Sequence, residues 1–160
     1  MSAEENIKQE LTKKFGYPQD SIKIQRPRRI FLETDTNNFH ELFDYAVKQL
    51  KFSHMCAITG LDEQDKLSVI YHLAQDSGIV LNLKISLPKD APVLKTVMPY
   101  FPGAEVYERE LVDLFGAKVE GLPAGHRYPL TDDWPVGEYP LRKDWKPSEN
   151  QEKGGVNKNA

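Results

Sequence analysis

Proline at 123, 129, 135, 140 and 147 punctuates the stretch that follows a strongly amphipathic helix, and this placement divides the chain more sharply than any other feature. Each proline fixes φ and removes a backbone donor, so neither a helix nor a central strand can run through it. Periodic structure is therefore expected over residues 1–120 and an extended tail over 121–147. Disorder is expected over 148–160, where SENQEKGGVNKNA is polar and glycine-containing. The tail nevertheless carries Tyr128, Trp134, Tyr139 and Trp145, large rings interleaved with proline, glycine and charge. Aromatic and arginine anchors on extended backbone are what interface hot spots are built from, so the tail is expected to order against a partner polypeptide. The alternative is a lid folded back over its own sheet.

Upstream, hydrophobic spacing sets the elements. Ser2 with Glu5 forms a capping box, and Ile7, Leu11 and Phe15 recur every four residues, so a helix is expected over 3 to 15. Ile22 and Ile24, then Ile30 and Leu32, flank Arg26-Pro27-Arg28-Arg29 and imply a hairpin whose basic turn is solvated, a phosphate contact being the minor reading. Asp35 or Thr36 caps a second helix with Phe39, Leu42, Phe43, Ala46, Val47 and Leu50 on one face. Three strands follow, His54 to Leu61, Leu67 to Ala74 and Ile79 to Leu87, joined by short polar turns that imply antiparallel neighbours. One sheet face is then core and the other partly wet. Val93 to Met98 reads as a helical turn or two. The fold class is α+β: an antiparallel sheet of about five strands with helices on one face, then the tail.

The formal charge of −3 argues against a nucleic-acid footprint, which needs a basic excess on one face. Cys56 is the single cysteine, so a zinc or iron–sulfur cluster held by this chain alone lacks ligands. His40, His54, His72 and His126 are scattered without ligand spacing, and His72 reads as structural. Apolar runs reach about ten residues, short of the roughly 20 needed to span a bilayer. Glu4 and Glu5 stand where a targeting peptide would be basic, so the chain reads as cytosolic, reaching a membrane only by docking on something embedded there. Neither a phosphate-binding glycine loop nor a G-x-S-x-G elbow occurs.

The helix before the tail carries Tyr107, Leu111, Leu114 and Phe115 as its core stripe and ends at Gly116. Projection at 100° per residue puts Arg109 and Asp113 together opposite that stripe, at salt-bridge spacing, with Glu108 and Glu110 at the boundary between core and surface. The two glutamates point about 200° apart at that spacing, so a catalytic dyad sharing one substrate is a remote reading. What remains is a solvated helix, or ion pairs with a partner or with this chain's Arg127 and Arg142.

These residues form a recognisable pattern. ERExxDLFG followed by DDWxxGxxPLRKDW resembles the signature of the 30 kDa subunit of proton-pumping NADH:quinone oxidoreductase (complex I) and of its homologues in energy-converting (Ech-type) nickel–iron hydrogenases. The match spans Glu108 to Trp145. Glu108, Arg109, Glu110 and Asp113 match its charged part and Leu114, Phe115 and Gly116 its apolar end. Asp133, Trp134, Gly137, Pro140, Leu141, Arg142, Lys143 and Asp144 match the tail block, flanked by Arg127, Tyr139 and Trp145 as further interface candidates. Leu122 and His126 depart from the pattern, standing where the family commonly has histidine and a basic residue. The resemblance implies a peripheral-arm subunit without a redox centre, with no catalysis and no small-molecule substrate of its own. It would brace a large catalytic subunit beside a small iron–sulfur subunit that between them hold the nickel–iron centre and the clusters. It also implies the cytoplasmic side of a prokaryotic membrane. The wording WPxGxYPLRKD points toward the hydrogenase branch, an NADH-, F420H2- or ferredoxin-linked quinone-type complex being the alternative. A remoter reading is a stand-alone enzyme or ligand-binding module with Glu110, His126 and Arg127 around a pocket.

Overall fold

The computed structural model describes residues 2–147; the expected disorder over 148–160 lies outside the described residues. Helix α1, Ala3–Phe15, begins at the Ser2/Glu5 capping box and ends at Gly16 in a left-handed conformation, burying Ile7 and Leu11. After a 3-10 turn come strands β1, Ile22–Arg26, and β2, Arg29–Thr34. Between them Pro27 presets the turn and Arg28 takes φ 63°. The Glu4 carboxylate accepts from the Arg28 amide at 2.7 Å and ties α1 to the turn.

Helix α2, Thr36–Lys48, is capped by the Asp35 side chain, which accepts from the amides of Asn37 and Asn38. Its buried face, Phe39, Leu42, Phe43 and Ala46, meets Tyr71 of the sheet, with ring centroids 4.6 Å apart for Phe39 and 5.7 Å for Phe43. Fully burying one such ring contributes roughly 1.5–3 kcal/mol, so this aromatic cluster is the energetic centre of the domain.

Strands β3, His54–Asp62, β4, Lys66–Ala74, and β5, Val80–Pro88, form the expected meander. Leu67, Val69, Tyr71 and Leu73 on β4 and Leu81, Leu83, Ile85 and Leu87 on β5 are buried, confirming the period of two. The sheet order is β1-β2-β5-β4-β3. The α+β class and the five strands hold, but the sheet is mixed, because β2 and β5 pair in parallel. Helix α2 carries the backbone back so that β3 runs in the direction of β2, and two antiparallel turns return β5 to that same direction. Short turns fix neighbours within the meander and say nothing about the partner across its edge.

Val93–Lys95 is a strand, β6, rather than a helical turn. It pairs in parallel with β7, Lys118–Glu120, which lies beyond the third helix in the sequence. That long-range pairing decides a segment too short for its own period to decide. Helix α3, Ala104–Phe115, packs on β3 at Gly60, where a Cβ would stand 2.8 Å from the Leu111 side chain. No helix among the described residues is long and apolar enough to cross a membrane.

Candidate interaction surface

The buried face of α3 is Ala104, Glu108, Leu111 and Phe115, with Asp113 also buried, while Tyr107 and Leu114 are only half-buried. The expected stripe is thus rotated toward Glu108, which is fully buried rather than at the boundary. Its Oε1 accepts the Val97 amide at 2.7 Å and its Oε2 the Thr96 hydroxyl at 2.6 Å, so the carboxylate clamps the segment after β6 against α3. Burial pushes this carboxyl above its ordinary range, against the opposing pull of Thr96 and Val97. A carboxylate buried without a cation is tolerated because both its partners are otherwise orphaned donors.

Arg109 does not pair with Asp113, as helical spacing had implied. Its guanidinium takes Glu105 one turn earlier, Nη2 to Oε1 at 2.7 Å, and donates to the carbonyls of Pro123 at 3.0 Å and His126 at 3.4 Å. It therefore staples the first tail residues onto α3, across Gly125, whose missing side chain leaves the room. Asp113 is claimed by the tail: the Leu130 amide donates to its Oδ2 at 3.3 Å and Arg127 Nε lies 3.5 Å from its Oδ1. Arg127 continues to the Trp134 carbonyl at 2.7 Å. Glu110 is half-buried, and its side chain makes no hydrogen bond among the described residues.

Arg142 Nε donates to the Phe115 carbonyl at 2.7 Å, placing a cation at the negative end of α3, and Nη2 reaches the Lys89 carbonyl at 3.3 Å. Its guanidinium stacks over Tyr139, 4.9 Å from the ring centroid, and that ring lies against Gly116. The Leu141 amide donates to the Leu114 carbonyl at 3.2 Å. Trp134 and Trp145 pack together at 5.8 Å, and both indole N–H groups donate to Glu138, to its carbonyl and its carboxylate respectively.

A carboxylate missed by the sequence reading closes the lock. Asp62, at the end of β3, accepts the Lys143 amide at 2.7 Å, the Gln64 amide at 2.8 Å and the Lys89 ammonium at 2.9 Å. Lys89 bridges on to Asp144 at 3.0 Å. Burial alone would raise the Asp62 carboxyl; the Lys89 ammonium and the Lys143 and Gln64 amides override it and hold it down at about 2. Only the hydrophobic-to-acidic step at the strand end could have flagged this residue.

The tail therefore finds a surface on its own chain. It lies along α3 and the β3–β4 end of the sheet, not as a lid over the open sheet face. Its outward side carries three apolar side chains, Val136 at 97 % exposure, Leu141 at 52 % and Tyr128 at 45 %, among the exposed polar residues Thr131, Asp132, Lys143, Asp144 and Lys146. Asp133 is exposed and Pro140 half-buried. His126 and Arg127 do share an open cleft of about 130 Å³ with Arg109, Asp113 and Leu122, but Glu110 is not part of it.

This arrangement has relatives. The respiratory-chain NADH dehydrogenase 30 kDa subunit family matches residues 32–151. The protein is 36 % identical to a subunit of the F420H2 dehydrogenase of Methanosarcina mazei, with 88 % of this sequence and 90 % of that one covered. It is 28 % identical to the membrane-bound hydrogenase subunit beta of Pyrococcus furiosus, with 91 % and 88 % covered. Among solved structures it resembles a polypeptide of the membrane-bound sulfane sulfur reductase, an archaeal respiratory membrane complex, with a TM-score of 0.80 at 28 % identity over 95 % of this chain and 90 % of that one. A match across three quarters of the sequence, signature helix and tail included, places this chain in the 30 kDa subunit family of the respiratory-chain NADH dehydrogenases.

Proposed function

We propose that this chain is a non-catalytic bracing subunit in the peripheral arm of a membrane-bound energy-converting oxidoreductase, of the hydrogenase or F420H2-dehydrogenase kind. The observation that carries the reading is the docked tail: internal bonds to backbone groups hold it in one extended shape while Val136, Leu141 and Tyr128 face outward. An ordered strip of this kind, with apolar side chains set among polar ones, lowers the entropic cost of association, because the segment is already fixed before it binds. In this reading the strip seats the large catalytic subunit, with the iron–sulfur subunit nearby and the redox centres in those neighbours. No cluster of three or more histidine, cysteine, aspartate or glutamate side chains suited to a metal occurs among the described residues. Attachment to the cytoplasmic face of the membrane is then indirect. The likeness to the F420H2 dehydrogenase protein, greater in identity than that to the hydrogenase one but similar in extent, supports either branch.

Val136→Asp with Leu141→Asp tests it, since neither side chain takes part in the tail's internal bonds. Purified from gently solubilised membranes, the tagged wild-type chain brings down a large subunit. The double variant loses it by roughly tenfold or more with unchanged tryptophan emission, as expected for hot-spot loss of about 2 kcal/mol. Full recovery of the large subunit with the double variant refutes the reading.

A further inference from the structure

The helices cover one face of the sheet, and no described element covers the other. Register fixes what that open face carries: Lys23, Phe31, Asn82 and His72 form one row across β1, β2, β5 and β4, and Arg26 with Arg29 begins the adjacent row. Around them lies an open cleft of about 300 Å³, floored by Phe31 and Ile70 and walled by Gln25, Arg26 and Arg29.

The back of this cleft is chemically closed. Asn82 Nδ2 donates to the Ile30 carbonyl at 2.9 Å, which leaves Asn82 Oδ1 to accept from His72 Nδ1 at 2.6 Å. His72 Nδ1 is therefore the donor of that bond, and Nε2 faces the Thr59 hydroxyl at 3.0 Å. Further along the same face Lys84 and Lys66 are spent on Glu33 and Glu63. The guanidinium groups are not spent. Arg26 has no hydrogen bond or ion pair among the described residues, and Arg29 gives only Nη1, to the carbonyls of Arg28 at 2.8 Å and Gly78 at 3.4 Å. With Lys23 and Arg28 alongside, and only Glu4 bonded to the turn, this corner is positive in a protein of net charge −3.

We propose that the cleft receives a carboxylate-bearing segment of a partner polypeptide, an aspartate or glutamate beside an apolar residue. The carboxylate binds Arg26 and Arg29, and the apolar neighbour lies on Phe31 and Ile70. Planar, forked donors suit a carboxylate, and the half-buried ring beneath them suits a side chain rather than solvent. A lipid surface fits less well, because none of the large exposed apolar side chains lies at this corner to enter a bilayer. The assignment rests on the reading of the protein as a subunit and adds a second contact on the face away from the tail.

The test uses the tagged full-length protein in its native complex. Arg29→Lys keeps the charge and supplies an amine for zero-length carbodiimide coupling, mapped by mass spectrometry. The expected result is coupling of the introduced amine to an aspartate or glutamate of another subunit. Arg26→Glu with Arg29→Glu, its circular dichroism unchanged, is expected to lower recovery of that subunit about tenfold. Coupling within this chain only, or none, in a complex that purifies intact overturns the proposal. So does full recovery with the charge-reversed variant. Wild-type sedimentation with phosphatidylglycerol vesicles that charge reversal abolishes would overturn it in favour of a membrane contact. A wild-type protein that copurifies with no other polypeptide is a separate result, and it refutes the subunit reading itself.

Discussion

Asp62→Asn tests whether the tail is latched to the domain or merely continuous with it. The variant is isosteric, and its carbonyl oxygen can still accept the Gln64 amide. Its NH₂ group then confronts the Lys143 amide and the Lys89 ammonium, two donors that Asp62 Oδ2 accepts at 2.7 and 2.9 Å in the wild type. Hydrogen bonds to a charged group are worth roughly 1.5–3 kcal/mol, and the Asp62 side chain is only 1 % exposed, so about 3 kcal/mol of docking stability is lost. The undocked population then rises roughly a hundredfold. Trp134 and Trp145 are the only tryptophans and both lie in the tail, so their emission follows docking while far-ultraviolet circular dichroism follows the helices and sheet. The expected outcome is a tryptophan transition at lower temperature than the dichroism transition, with faster exchange of the Lys143 and Leu141 amides. The pH behaviour has a definite sign. A carboxyl held at about 2, below its ordinary 3.8, contributes stability that is complete above about pH 4 and lost as pH falls toward 2. Wild-type emission should therefore shift over that acid window, and the variant should show no such step. Unchanged emission and exchange in Asp62→Asn, or two transitions that move together, would refute the latch.

Glu108 is expected to behave in the opposite sense. Its carboxyl is raised by burial, so wild-type stability increases as pH falls from that raised value toward 4.5, whereas Glu108→Gln melts without this dependence and at neutral pH is at least as stable. Glu108→Ala strands the Val97 amide and the Thr96 hydroxyl and costs about 2–4 kcal/mol, read from urea unfolding. Gly116→Ala meets two obstacles, φ at 71° and the Tyr139 ring, whose Cζ would lie 2.6 Å from the new Cβ; a loss of about 2–4 kcal/mol, seen first in tryptophan emission, is expected.

Elements whose own period exceeds their noise were legible in the sequence. Helix α2 and strands β4 and β5 carry their burial pattern in consecutive letters, and Asp35 and the Ser2/Glu5 box mark helix starts by a local bond. The parallel joining of β2 to β5 and the pairing of β6 with β7 were not legible, because each depends on a partner far along the sequence, Val80 for Arg29 and Lys118 for Val93. The bonding partners of the charged residues were not legible for a different reason. Helical projection finds side-chain partners for charges, yet most of the charged residues at issue here bind backbone groups: Glu108 the Val97 amide, Arg109 the Pro123 and His126 carbonyls, Asp113 the Leu130 amide, Arg142 the Phe115 carbonyl and Asp62 the Lys143 amide.

A backbone partner has no letter, and this changes what the signature means. A charge that bonds a main-chain group is indifferent to the side chain at that position, so the tail's outward residues can vary without disturbing its path. Glu108, Asp113, Arg142 and Asp62 cannot vary in the same way, because loss of any of them strands a partly or fully buried amide or carbonyl. The two sets therefore have separate physical roles: the charged set holds the shape of the tail, and the outward set, Val136, Leu141 and Tyr128, is free of that task. On this argument the charged motif scaffolds the tail from within, and the partner contact proposed above falls to the outward residues.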